Sequence, residues 1–520
     1  MATLGENLKT RLETMKDHDT VDVVVYVSND GADEQMVLSE SIDSDEPASR
    51  SEYVGQLRQA VDERQKGLLS FVQEETASPS ARLMALDEGP SVTAARVIDR
   101  FWINNSVRME LTRAAVIAIA DRSDVTHIEM VTPTDLDEIL DNVTFPGALQ
   151  VEAVALDADT PKPTWSVKHI NAHLMWSLGY RGKDVLVAVI DTGVNYRHPD
   201  LMGRMWQSAD YPKHGYDFSG NGDPDPMDEH HGGHGTKCAG IVAGDGTMGQ
   251  ATGVAPEATI MAIRMGNDEP AMFRCLEFAI DQGADVISMS LTWKYDKSPD
   301  YPGWRRACET VAKARISHAN SSGNQGNKLV GFPIPYNIGA PGNCPSPWLN
   351  PNLPQAGGTC SPVTCGASNS SDRLSYSSGR GPVAWEDGAY ADYPYDAGGE
   401  PGLVKPDICA PGPGTTSCSS KYDPDAANTA PYAGFGGTSA ATPHVAGCMA
   451  LLISVCKANG AVPTPERIQE ALETTAVRMV GQTKDKENHY GSGRVDVFAA
   501  YKFGVEKGWW PPVDQELPVA

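Results

Sequence analysis

A single serine, Ser439, stands among small residues at the head of a long apolar run, Gly437-Thr438-Ser439-Ala440-Ala441-Thr442-Pro443-His444 and onward. A helix that is apolar on every side has to be buried on every side, so this run calls for a large core around it. Pro443 agrees with a helix start here, since proline is tolerated in the first turn. Backbone N–H groups at a helix start lack intrahelical partners and the dipole is positive there. Negative charge developing near Ser439 would therefore be stabilised.

Two upstream segments supply what such a serine needs. Val185-Leu186-Val187-Ala188-Val189-Ile190 is a β-branched apolar run ending in Asp191-Thr192-Gly193, the way a buried parallel strand delivers a carboxylate at its C-terminal edge. Gly232-Gly233-His234-Gly235-Thr236-Lys237-Cys238-Ala239-Gly240 then sets a histidine between glycines and before a small-residue helix. An imidazole can remove the hydroxyl proton and later protonate a leaving amine, while a carboxylate fixes its tautomer. Strands and helices alternate from 183 onward, which predicts a parallel sheet with helices on both faces and functional loops at the strands' C-terminal edge.

With the three blocks in the order Asp, His, Ser, residues from about 163 to 500 resemble the subtilisin-like serine proteases, the subtilases. The resemblance implies a three-layer α/β/α fold with a mostly parallel sheet. It also implies that Asp191 orients, His234 serves as general base and acid, and Ser439 attacks. Ser321-Ser322-Gly323-Asn324-Gln325-Gly326 resembles the oxyanion segment, with the Asn324 amide and the Ser439 N–H as donors. Further landmarks are His198-Pro199-Asp200-Leu201, Gly253-Val254-Ala255-Pro256, Tyr376-Ser377-Ser378 and Lys405-Pro406-Asp407. Substrate would run along Ser290, Leu291, Thr292 and Trp293 and past Ser322, Gly323 and Gln325. Thr292-Trp293 replaces the two glycines usual in the family, so Trp293 is expected to reshape the S1 wall. No cofactor is implied for catalysis. A structural calcium is expected at Asp200, with Asp245 in the loop to Ala251 as a weaker ligand, since Thr247 replaces the usual amide. Asp223, Asp225 and Asp228 offer a second oxygen-rich group.

Upstream, Val21 to Val27, Ala95 to Phe101, Ser106 to Leu111 and Val125 to Met130 pattern as strands, with helices over Ser51–Glu74 and Thr112–Ala120. That order, β-α-β-β-α-β, predicts a small ferredoxin-like α+β unit resembling the subtilase pro-domain, an intramolecular inhibitor. The expected divisions are a pro-domain over 1–134, an acidic linker with the processing site over 135–164, the catalytic domain over 165–503 and an irregular tail over 504–520.

Acidic residues outnumber basic ones 68 to 42, a net charge of −26, which disfavours nucleic acid and anionic membranes as partners. No stretch reaches eighteen consecutive apolar residues, and the start lacks a basic region followed by an apolar one, so a cytoplasmic location is expected. Cys238, Cys409, Cys448 and Cys456 read as buried thiols. Cys344, Cys360 and Cys365, around an insertion over about Ile338–Pro362, leave a disulfide or metal site open. His230 and His231 beside Asp228 and Glu229 read as a solvated loop, because consecutive residues rarely converge on one ion. The expected function is a self-inhibited serine endopeptidase acting on proteins or peptides. A lid-like insertion leaves a transpeptidase or cyclase as an alternative, and a catalytically silent binding protein is the other.

Overall fold

Val21, Val23, Val25 and Val27 turn into a local core while Tyr26, between them, points the other way, so one alternating strand serves two neighbours. The computed structural model describes residues 2–16, 19–29, 50–77, 95–140, 161–353, 360–386, 390–423, 425–426 and 429–512. Its N-terminal sheet contains β1 (Thr3–Leu4), β2 (Thr20–Val27), β3 (Ala95–Phe101), β4 (Ser106–Thr112) and β5 (Val125–Met130), in the order β1-β5-β2-β4-β3. The last four strands are paired antiparallel as a ferredoxin-like unit requires. Helices Arg50–Ala77 and Arg113–Ala120 lie where the pattern places them. Strand β1 and the helix Glu6–Thr14 are additions. Residues 30–49, between β2 and the helix Arg50–Ala77, lie outside the described residues.

After a short parallel pairing of β6 (Lys162–Pro163) with β9 (Gln250–Ala251), the main sheet is built from seven strands. These are β7 (Leu186–Asp191), β8 (Gly215–Asp217), β10 (Thr259–Arg264), β11 (Val286–Met289), β12 (Ser317–Ser321), β13 (Val363–Ser368) and β14 (Ile408–Pro411). Their order is β14-β13-β12-β11-β7-β10-β8 and every pairing is parallel. The apolar run of β7 reflects burial on both faces. Val187 and Val189 join a core with helices His234–Ala243 and Thr438–Ala458, whereas Ala188 and Ile190 join one with helices Glu269–Asp281 and Tyr301–Lys313. Thr438–Ala458 is long and apolar and wholly packed inside the fold.

The N-terminal unit rests on the second pair of helices. Glu277 accepts the N–H groups of Trp102 and Ile103 at 2.7 and 3.1 Å, and Thr310 Oγ1 donates to Ile103 O at 2.7 Å. Tyr26 OH donates to Asp300, and Arg58 pairs with Asp281 at 2.6 Å. Burial pushes the Glu277 carboxyl up to about 7.

Two boundaries differ from expectation. The segment after 135 opens with a short helix, Leu136–Leu140, docked on the unit built around the seven-stranded sheet, while 141–160 lies outside the described residues. The final helix, Val497–Glu506, runs past 503, and Trp510 is buried with its Nε1 donating to Tyr501 O at 2.8 Å. The fold therefore claims residues assigned to the tail.

Candidate active site

Asp191 is the last residue of β7 and His234 the first of its helix, which brings both to the C-terminal edge of the sheet. His234 Nδ1 lies 2.8 and 3.0 Å from the two Asp191 oxygens, and both side chains are buried. A carboxylate only accepts, so Nδ1 carries the proton and Nε2 is left as the basic nitrogen. Nε2 has no hydrogen-bond partner among the described residues. Asp191 is held in turn by the Thr192 N–H at 2.8 Å.

Ser439 is the second residue of helix Thr438–Ala458, and Pro443 is the sixth, beyond the first turn that the sequence suggests. Pro443 has no N–H to give the carbonyl four residues back, which is that of Ser439. Two side chains supply the missing donors: Ser290 Oγ at 3.1 Å and Cys238 Sγ at 3.7 Å. Their role is to complete a helix interrupted under the serine. Burial, and then the charge of Asp191, push the Cys238 thiol well up, so it stays neutral. His444 donates to Ala440 O at 2.7 Å and burial lowers it to about 4, so it is a neutral structural histidine.

Asn324 follows the turn after β12. Its Oδ1 accepts from Thr438 N at 3.1 Å and Thr438 Oγ1 at 3.3 Å, which turns the donor end of the amide to the opposite side. Gly437, at φ +70°, makes this possible, since a Cβ there would lie 2.8 Å from Asn324 Oδ1. Ser322 and Gln325 are buried beside it, and Gly323 O accepts from Gly379 N at 2.8 Å.

The segment Ser290–Trp293 divides its duties. The Ser290 side chain supports the helix, and Leu291 is in the core with its carbonyl accepting from Asn320 at 3.2 Å. Trp293 does not form a wall of the cleft: its ring packs 5.3 Å from Trp304, and its N–H and C=O pair with Ala340 at 2.8 and 2.9 Å. The insertion is thus a wedge. Ile338, Ala340, Cys344 and Cys360 are buried in the same core, with Cys308 from helix Tyr301–Lys313, while Cys365 on β13 faces the other core. All ten cysteines are free. The Thr292 N–H donates to Ile139 O at 3.2 Å. Ile139 and Leu140 are 1% exposed there, and Lys297 pairs with Glu138 at 2.6 Å.

The acidic groups do not fit calcium, which takes six to eight oxygens. Asp200 is buried and accepts from Met248 N at 2.7 Å and Tyr432 OH at 2.8 Å, and burial lifts it to about 6. Asp245 is engaged by Thr247 N at 3.0 Å and faces Arg204 at 3.4 Å. Hydrogen-bond donors and a guanidinium therefore stand where oxygen ligands are required. Asp225 pairs with Lys213 at 3.1 Å, and Asp228 accepts from Thr192 and Thr236, so with Asp223 they form no cage. His230 and His231 instead face Asp137, at 3.4 and 3.8 Å, an acid more than ninety positions away that spacing could not pair with them.

Comparison with known proteins agrees with this geometry. Residues 182–493 match the model of the subtilase family. Thermitase of Thermoactinomyces vulgaris is 28% identical over 64% of the chain and 94% of its own length. Serine protease AprX of Bacillus subtilis is 31% identical over 61% and 65%, and minor extracellular protease Vpr of the same species 34% identical over 40% and 26%. The chain therefore spans about a quarter of Vpr and just under two thirds of AprX. With its matched region covering more than half of the sequence and its Asp191–His234 pair set beside the helix of Ser439, the chain belongs to the subtilase family.

Proposed function

We propose that this protein is a serine endopeptidase that hydrolyses peptide bonds through an acyl-enzyme on Ser439 and is restrained by its own N-terminal region. The observation that carries the chemistry is the Asp191–His234 contact at 2.8 Å, which leaves Nε2 to accept a proton on a helix packed against the one that begins with Ser439. In the first step Ser439 Oγ adds to the scissile carbonyl as His234 Nε2 takes its proton. The oxyanion is met by the Ser439 N–H and the Asn324 amide. His234 then protonates the leaving amine, and water, deprotonated by the same nitrogen, releases the acyl group.

Restraint is supported by the short helix Leu136–Leu140. Its Ile139 O accepts from the Thr292 N–H, a backbone donor in the segment along which an extended substrate is expected to run. Cleavage or displacement of the N-terminal region would free that donor. Ten free, buried thiols support a reducing, cytoplasmic setting, and proteins or peptides are the substrates.

The test is intact mass of wild type and Ser439→Ala after incubation, with fluorophosphonate labelling of each. Cleavage of wild type alone between residues 135 and 164, and a label confined to Ser439, are expected. Labelling that survives Ser439→Ala, or no labelling of wild type after its N-terminal region has been removed, overturns the reading.

A further inference from the structure

Just before His234, the neighbours His230 and His231 present their rings to one acceptor. Their centroids are 4.3 Å apart and inclined at 42°. His230 Nε2 lies 3.4 Å and His231 Nε2 3.8 Å from the same atom, Asp137 Oδ1, and the three ligating atoms lie within 4.8 Å of one another. Tetrahedral zinc with nitrogen and oxygen ligands at about 2.0–2.2 Å has ligand–ligand edges of about 3.3–3.5 Å. Two edges of the triangle are already near that length.

The neighbouring acids do not compete for this position. Asp228 accepts from Thr192 Oγ1 at 3.0 Å and Thr236 N at 3.0 Å, and Glu229 pairs with Arg264 at 3.2 Å. Access is open, since the His231 side chain is 74% and that of Asp137 50% exposed, which leaves room for a water as the fourth ligand. Metal on His230 Nε2 places the proton on Nδ1 and so gives up the Nδ1 contact with Gly232 N, a long one at 3.3 Å. Two imidazoles and one carboxylate select zinc-class divalent ions and disfavour calcium and magnesium, which take all-oxygen sets.

We propose that Asp137, His230 and His231 form a zinc-class cation site that staples the helix Leu136–Leu140 to the loop leading into His234. Asp137 comes from the segment docked against Thr292 and Lys297, and the histidines come from the loop leading into the helix of His234. The ion is held only while both halves are together, so by linkage its binding favours the docked state. This consequence rests on the inhibitory reading of that segment, whereas the site itself does not.

The full chain carrying Ser439→Ala, which cannot cut itself, is titrated with zinc chloride by calorimetry. Asp137→Asn and His231→Ala are then added to that background, both at exposed positions. One zinc per chain is expected, with affinity reduced at least about tenfold in each double variant, because each removes one of three protein ligands. Calcium chloride is expected to give no such isotherm. Equal zinc affinity in all three chains, or no saturable binding, overturns the site. A second measurement separates the two levels: fluorophosphonate labelling of wild type with zinc against EDTA. Slower labelling in zinc supports the staple. Unchanged labelling with binding intact overturns the staple and leaves the site standing.

Discussion

Asn324 is held by its acceptor end, and in the proposed mechanism it acts through its donor end, so two substitutions can separate structure from catalysis. Asn324→Asp keeps an oxygen for Thr438 N, now 3.1 Å away, and for Thr438 Oγ1 at 3.3 Å, but replaces the donor with an acceptor. Asn324→Leu fills similar volume and removes both. Loss of an oxyanion donor costs about 10²–10³ in kcat, about 2.7–4 kcal/mol of transition-state stabilisation. Leaving the buried Thr438 N–H without an acceptor costs about 1–3 kcal/mol of stability. Azocasein hydrolysis after removal of the N-terminal region, read beside thermal unfolding, should show at least a hundredfold fall in kcat for both, little change in KM, and a lowered Tm for Asn324→Leu alone. An Asp variant that turns over within tenfold of wild type would refute the oxyanion role.

Other residues around the site give sharp expectations. Cys238→Ala should keep kcat within about threefold, because its neutral thiol only assists the Ser439 carbonyl at 3.7 Å and Ser290 remains as a donor; inactivation by this change would put the thiol in the chemistry. Asp200 sits at about 6 in the folded chain against an ordinary 3.8, so its stabilising share is whole below the lower value and is lost as pH rises through the upper one. At pH 8 the buried anion costs up to about 3 kcal/mol, so Asp200→Asn should flatten the fall of Tm between pH 4 and 8; a steeper fall would reverse the sign. Millimolar calcium should move Tm by less than about 3 °C, in keeping with donors that face Asp200 and Asp245, and a larger rise would show a site that they form.

What the sequence made legible follows from the range of the forces involved. Short motifs that close one turn, such as Gly437 ahead of Ser439 or the strand ending in Asp191, carry their geometry locally, and they lie where the pattern puts them. The four strands and two helices of the N-terminal unit were legible for the same reason, through their two- and near-four-residue periods. The packing of Trp293 against Trp304, in place of the expected S1 wall, goes with its pairing to Ala340, and the bond from Ser290 Oγ to Ser439 O answers Pro443; both partners are far along the chain. The convergence of His230 and His231 on Asp137, and the hydrogen bond from Tyr432 to Asp200, are likewise products of folding at a distance.

The pairing of Trp293 with Ala340 has a consequence for restraint. With its N–H and C=O paired to Ala340, Trp293 leaves Thr292 N–H to meet Ile139 O, while Glu138 with Lys297 and Asp137 with His230 and His231 add polar contacts at an exposed rim, where each is worth little. Apolar burial adds to these, and Ile139 and Leu140 at 1% exposure supply it. Fully burying such a side chain is worth about 1.5–3 kcal/mol. Placing a carboxylate there by Ile139→Asp reverses that gain, and the cost of a buried charge adds to it. If the segment blocks the cleft, the open population and hence the rate of fluorophosphonate labelling of the full chain should rise about 10–150-fold, by the same free energy. The rise should stop at the rate of the enzyme freed of its N-terminal region, since opening cannot exceed unity. An unchanged labelling rate in a folded Ile139→Asp chain would mean that the helix Leu136–Leu140 lies beside the substrate path and does not close it.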